Sequence, residues 1–338
     1  MEKGRLQHID VAKGIAMICI ILGHLGIPSI NKVVFTFHVP IFFFITGYFV
    51  NDNKGILDFI KNKARTLLIP YGITCLVIIA LGTLGGSFTG NAKEAAFSWI
   101  YASLYGAGDS YAEPFYIKGI GAIWFLWATF WGSIFLRISL KFNYFIRMIF
   151  VFALFILGYV SRSILWFPLS IQAGACATLF MYMGYLLHTL TKEIEKVPLE
   201  VKTFAGIFAL TIWISFIKNF QSFWLVHCDI GRGIVDIFGC VCACFIVMLF
   251  SCIIANKTKV FATLLAYFGR YSLLVLCVHI VELDLFPWWQ LTARMVEYGM
   301  AESYQLPVII IGKLIFDLSV AWLLSRIGYV RKMFGYKK

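Results

Sequence analysis

Lys13 and His24 bracket ten apolar or small residues in the segment KGIAMICIILGH. Eleven helical positions turn through about 1100°, so the two side chains fall within roughly 20° of one face, about 16 Å apart along the axis. Asp10, three residues before Lys13, shares that stripe and is placed to pair with it. No partner for His24 lies one turn away on its own helix. Neutral imidazole takes and returns a proton near neutral pH, which makes His24 a candidate general base. FHVP (37–40) lies just beyond, and a tight turn at 28–32 would bring His38 beside His24. Further ionisable residues in apolar surroundings are Asp236, His279, Glu282, Lys313 and Asp317. Such groups are costly in lipid and face a bundle interior. Lys313 with Asp317, and Arg232 with Asp236, stand at i, i+4 and are expected to neutralise each other. No Ser-His-Asp order, phosphate loop or HExxH spacing competes with these residues.

The elements carrying them are membrane helices. The chain of 338 residues is 61% hydrophobic and 14% charged, against about half and a quarter for a soluble domain. Continuous apolar runs exclude a barrel, whose strands would alternate. The expected fold is all-α: one integral domain over 1–338, a polytopic transmembrane bundle of about ten spans. These are 11–27, 33–50, 67–88, 120–136, 146–160, 171–190, 203–217, 234–255, 268–286 and 306–325. The segment 51–71 is basic and amphipathic and is expected along the inner surface. The loop 88–119 is aromatic; a membrane-interface belt is the favoured reading, the mouth of a polar site the other.

A net charge of +12 raises the question of nucleic acid, but its distribution reports topology. The inner segments and span ends hold 21 Lys/Arg and the outer loops seven, with Lys313 inside a span. By the positive-inside rule both termini are cytoplasmic, and no nucleic-acid partner is expected. Cys240, Cys242 and Cys244 are spaced by two, which scatters them around a helix. Neither a metal site nor a disulfide framework is expected from the nine cysteines.

IDVAKGIAMICIILGH, FTFHVPIFFFITGYF, KARTLLIPY, AIWFLWATF and FGRYSLLVLCVHIVE occur in that order along nearly the whole chain. Together they resemble the acyltransferase 3 family of bacterial membrane O-acyltransferases, nearest its fucose 4-O-acetylase-like branch. The resemblance implies transfer of an acetyl group from cytoplasmic acetyl-CoA to a hydroxyl of a glycan or envelope acceptor outside the bacterial cell membrane. Acetyl-CoA would be a donor substrate; no permanently bound cofactor is implied. The family's arginine–histidine pair maps onto Lys13 and His24, with lysine replacing arginine and giving up its bidentate fork. Lys13 and Arg65 would then hold CoA phosphates, with Asp10 beside them, and His24 would be the base. His38, Trp124, His279 and Glu282 would shape the substrate site. The same superfamily includes the membrane half of vancomycin-resistance serine racemases, so uptake of L-serine is the competing function. A membrane scaffold without a small-molecule site is a third reading, which the shared face of Lys13 and His24 disfavours.

Overall fold

The structure, a computed structural model, describes residues 6–50 and 55–336. The expectations for both chain termini and for residues 51–54 fall at least partly outside these. The helices are α1 (Gln7–Gly23), α2 (Pro28–Val34), α3 (Pro40–Tyr48), α4 (Ile56–Lys63), α5 (Ile69–Phe88), α6 (Ala92–Tyr105), α7 (Trp124–Ser139) and α8 (Tyr144–Ser161). They continue as α9 (Ile171–Lys196), α10 (Leu199–Lys218), α11 (Ile234–Lys257), α12 (Lys259–Arg270), α13 (Ser272–Leu285), α14 (Trp288–Glu297), α15 (Gln305–Arg326) and α16 (Gly328–Met333). No strand occurs among the described residues beyond one isolated bridge between Tyr111 and Ile117.

This is a polytopic membrane protein with an all-helical fold. Seven described helical stretches are long and apolar enough to cross a membrane. An eighth span forms if α12 and α13, bent by 71°, cross together. Three features separate this arrangement from ten uniform spans. The apolar run 33–50 is broken at 35–39 because Pro40, which has no N–H, begins a helix as its first residue and does not continue one. The 56–88 stretch is one continuous helix whose register slips through a π segment at Ala64–Leu68, so its basic start is not a separate surface helix. The aromatic loop after α5 contains α6, packed back on α5.

Helix α1 is central, packing along α12 and against α11, α13 and α3. Its tight seat on α12 depends on small residues. A Cβ at Gly14 would strike the backbone of Leu265, and one at Gly269 the backbone of Asp10. Close backbone approach of this kind is how helices gain packing contacts in lipid. Val11, Ala262 and Leu265 fill the seam. The carboxyl end of the chain folds back beneath α13, where the Tyr336 hydroxyl accepts from the Leu274 N–H at 3.3 Å.

Candidate active site

One face of α1 lines an internal cavity of about 550 Å³ with Lys13, Met17, Ile20 and His24. Those positions advance by four, three and four, the spacing of one helical stripe. Around them stand Phe35, His38 and Phe42, then Trp124, Phe125 and Thr129 of α7, and Ser272, Leu273 and Leu276 at the start of α13. Lys13, near the middle of α1, and His24, at its carboxyl end, therefore open onto the same space about three turns apart. His24 lies within the bundle, yet its side chain is exposed, because it faces that space.

His24 is the C-cap of α1, where helical carbonyls lack their usual partners. Its Nδ1 lies 2.9 Å from the Ile20 carbonyl oxygen. A carbonyl only accepts, so Nδ1 carries the hydrogen, and the unprotonated atom of the neutral ring is Nε2. Nδ1 also lies 3.2 Å from Nε2 of His279 on α13. His279 Nδ1 in turn is 2.8 Å from Asp317 Oδ2 and 3.2 Å from Glu282 Oε2. Lys313 Nζ donates to Glu282 Oε1 at 2.6 Å, and the Trp288 indole donates to the same oxygen. His279, Glu282, Lys313 and Asp317 are all buried. A cluster of compensating charges thus lies directly behind His24.

This cluster corrects one expectation and locates two of the residues expected to shape the site. Lys313 and Asp317 are not each other's hydrogen-bonded partners along α15; those partners are Glu282 and His279 on α13. A facing helix offers a direct approach that two side chains on one helix must bend to reach. His279 and Glu282 are not among the residues lining the cavity; they sit behind its wall. His279, Glu282 and Asp317 bring ligand atoms within 4.8 Å of one another, a convergence that chain spacing did not reveal. The Lys313 ammonium already supplies a cation there.

The other named residues fall as follows. His38 and Trp124 are buried and line the cavity, and His38 Nδ1 donates to the Val34 carbonyl at 2.7 Å. Asp10 is buried at the α1–α12 seam. Arg65 is exposed on the π segment and is not among the lining residues, whereas Leu67 from the same segment is. Arg232 and Asp236 do pair, at 2.6 Å.

The His24 end of the cavity carries residues that sequence reasoning did not single out: Asn31, Asp109, Trp224 and Val226. Trp224 stands edge-on to Phe35 at 5.6 Å, and Phe35 stacks on His38 at 4.8 Å, forming an aromatic wall. His227 Nε2 lies 3.0 Å from Asp109 Oδ2, and its Nδ1 lies 3.1 Å from the Tyr111 hydroxyl. Nearby, Lys118 lies 3.6 Å over the Trp99 ring, and burial lowers its pKa against the opposing pull of Asp284. The only sequence signal for this end was the aromatic stretch in 88–119. Its partner loop, 220–233, carried no pattern.

A family model described as an acyltransferase domain matches residues 6–326. The chain is also 28% identical over 149 residues to nodulation protein NolL of Sinorhizobium fredii, and 27% identical over 149 residues to its namesake in Mesorhizobium japonicum. Each match covers 40% of this chain and 36% of the relative, so the chain aligns with little more than a third of these curated proteins. No solved structure matches.

Proposed function

Since the chain belongs to the acyltransferase domain family, and is thus a membrane acyltransferase, we propose that it moves an acetyl group from acetyl-CoA to a hydroxyl of a glycan or other envelope acceptor across the bacterial cell membrane. One observation carries this reading. Lys13 and His24 line a single cavity, about 16 Å apart along α1, a distance comparable with an extended pantetheine arm. Lys13 contacts the CoA phosphates at one end, as a point charge. The thioester then lies toward His24, and the acceptor enters from the Asp109–Trp224 end.

In the reaction the acceptor oxygen attacks the thioester carbonyl carbon while His24 Nε2 takes the hydroxyl proton. The resulting tetrahedral adduct collapses with cleavage of the C–S bond. His24 returns the proton to the departing sulfur, giving ester and free CoA thiol with no net proton. The apolar walls of Phe42, Phe125 and Leu276 keep water from competing for the acyl group.

The test is direct binding of acetyl-CoA to purified protein, compared with L-serine on the same preparation. Acetyl-CoA binding that weakens in Lys13→Ala supports acyl transfer. Saturable serine binding or uptake without acetyl-CoA binding overturns it in favour of transport.

A further inference from the structure

We propose that His279 and Asp317 are positioning residues acting through His24, forming a three-member relay that shares the positive charge of the general base. The proposal rests on the acyl-transfer reading above and adds to it why a histidine in an apolar cavity can serve as base at all. An imidazolium facing apolar walls is costly unless something behind it supplies compensating charge.

The hydrogen-bond geometry supplies it in one sense only. The Ile20 carbonyl at 2.9 Å requires a hydrogen on His24 Nδ1, and that one hydrogen is shared with His279 Nε2 at 3.2 Å, which is therefore an acceptor. In its neutral form His279 carries its own hydrogen on Nδ1, donated to Asp317 Oδ2 at 2.8 Å, and Glu282 Oε2 stands 3.2 Å from the same nitrogen. When His24 Nε2 accepts the acceptor's proton, the Nδ1 hydrogen moves toward His279. The positive charge then spreads onto a ring whose Nδ1 faces two carboxylates. When the C–S bond breaks, the same hydrogens move back and His24 Nε2 protonates the sulfur. No proton enters or leaves the cluster over a full turnover.

Two further features fit this role. Among the described residues Asp317 Oδ1 and Glu282 Oε2 are buried without a hydrogen-bond partner, so both carboxylates hold unspent acceptor capacity for a developing cation. Lys313 engages Glu282 Oε1, the oxygen remote from His279. The ammonium thereby anchors Glu282 and leaves its second oxygen, together with Asp317, to the imidazole. The charged or titratable groups around His24 are His279 and His38, with Glu282, Asp284, Lys313 and Asp317 behind, Asp109 on the open side, and Lys13 farther along the same cavity.

A double-mutant cycle tests the relay, using radiolabelled acetyl-CoA with methyl fucoside, galactoside and glucoside as acceptors. Asp317→Asn should lower the turnover rate by about 10² to 10⁴-fold while KM for acetyl-CoA and its binding stay unchanged. Combining it with His24→Ala should cost no more than His24→Ala alone, because the two act as one unit. Losses that multiply, or normal turnover in Asp317→Asn, overturn the relay. Should Asp317→Asn fail to fold, judged by acetyl-CoA binding and gel filtration, His279→Gln decides. Glutamine can accept from His24 and donate to Asp317 but cannot carry charge, so turnover must fall; near-normal turnover overturns the relay. A wild-type protein that labels no glycoside and releases no CoA thiol refutes acyl transfer itself, and the relay with it. Transfer by wild type with an additive cycle refutes the relay alone.

Discussion

His24 and His279 come from opposite ends of the chain and meet with ring centroids 5.1 Å apart, their facing nitrogens separated by 3.2 Å. One ring opens to the cavity and the other is sealed behind it among carboxylates. The ring that opens to the cavity and the buried charges behind it thus lie on different helices, α1 for the first and α13 with α15 for the second.

His24→Ala should abolish transfer, and His24→Gln should not rescue it, since an amide fills the space but accepts no proton at useful pH. The expected loss is about 10² to 10⁴-fold in rate, with acetyl-CoA binding retained. Near-normal transfer by His24→Gln in the radiolabel assay would show that the ring only packs.

Lys13→Ala should weaken acetyl-CoA binding, and Lys13→Arg should preserve or improve it, because guanidinium grips phosphate through two parallel hydrogen bonds. Titration calorimetry on purified protein measures both. An unchanged affinity per folded molecule in Lys13→Ala, with lower thermal stability, would assign Lys13 to structure.

Lys313→Met should be strongly destabilising, by about 3–5 kcal/mol, because it strands the buried Glu282 carboxylate against Trp288. Adding Glu282→Gln should recover a large part of that loss, since two absent charges cost less than one unpaired charge. Thermal unfolding in detergent reads both variants. Purely additive effects would mean the pair is not coupled.

Gly14→Val should push α1 off α12, because the new Cβ meets the Leu265 backbone, which cannot rotate away. Overpacking of this kind costs about 1–3 kcal/mol. Gly85→Val, where no described atom lies within 4 Å of the new Cβ, is the matched control. Equal melting temperatures for the two variants would show that the seam is looser than its geometry indicates.

Ser110→Cys, at the His24 end, should react with an impermeant maleimide applied outside intact cells, while cysteines placed in 192–202 should not. This follows from the excess of inner Lys/Arg and places acceptor entry outside. Labelling of 192–202 from outside would invert the topology and send the acceptor in from the cytoplasm.

Composition alone was enough for an all-helical membrane bundle, because a bilayer leaves the backbone few ways to satisfy itself. The one-sided placement of Lys13 and His24 was also legible, since helical phase is a local property of spacing. The pairing of Arg232 with Asp236 was local in the same sense and holds. The same local rule failed for Lys313 and Asp317, whose partners sit more than thirty residues away on α13. Pairing among buried charges is settled by which helix faces which, and the chain states no helix neighbours. The second span was misread because hydropathy counts apolar residues and is blind to the break ahead of Pro40. Asp109 and Trp224 were invisible for a related reason: they reach the cavity from two loops separated by more than a hundred residues. The helices and the shared face of Lys13 and His24 are thus written in local order. What stands behind His24, and what surrounds its open side, exists only once α1, α13 and α15 have packed.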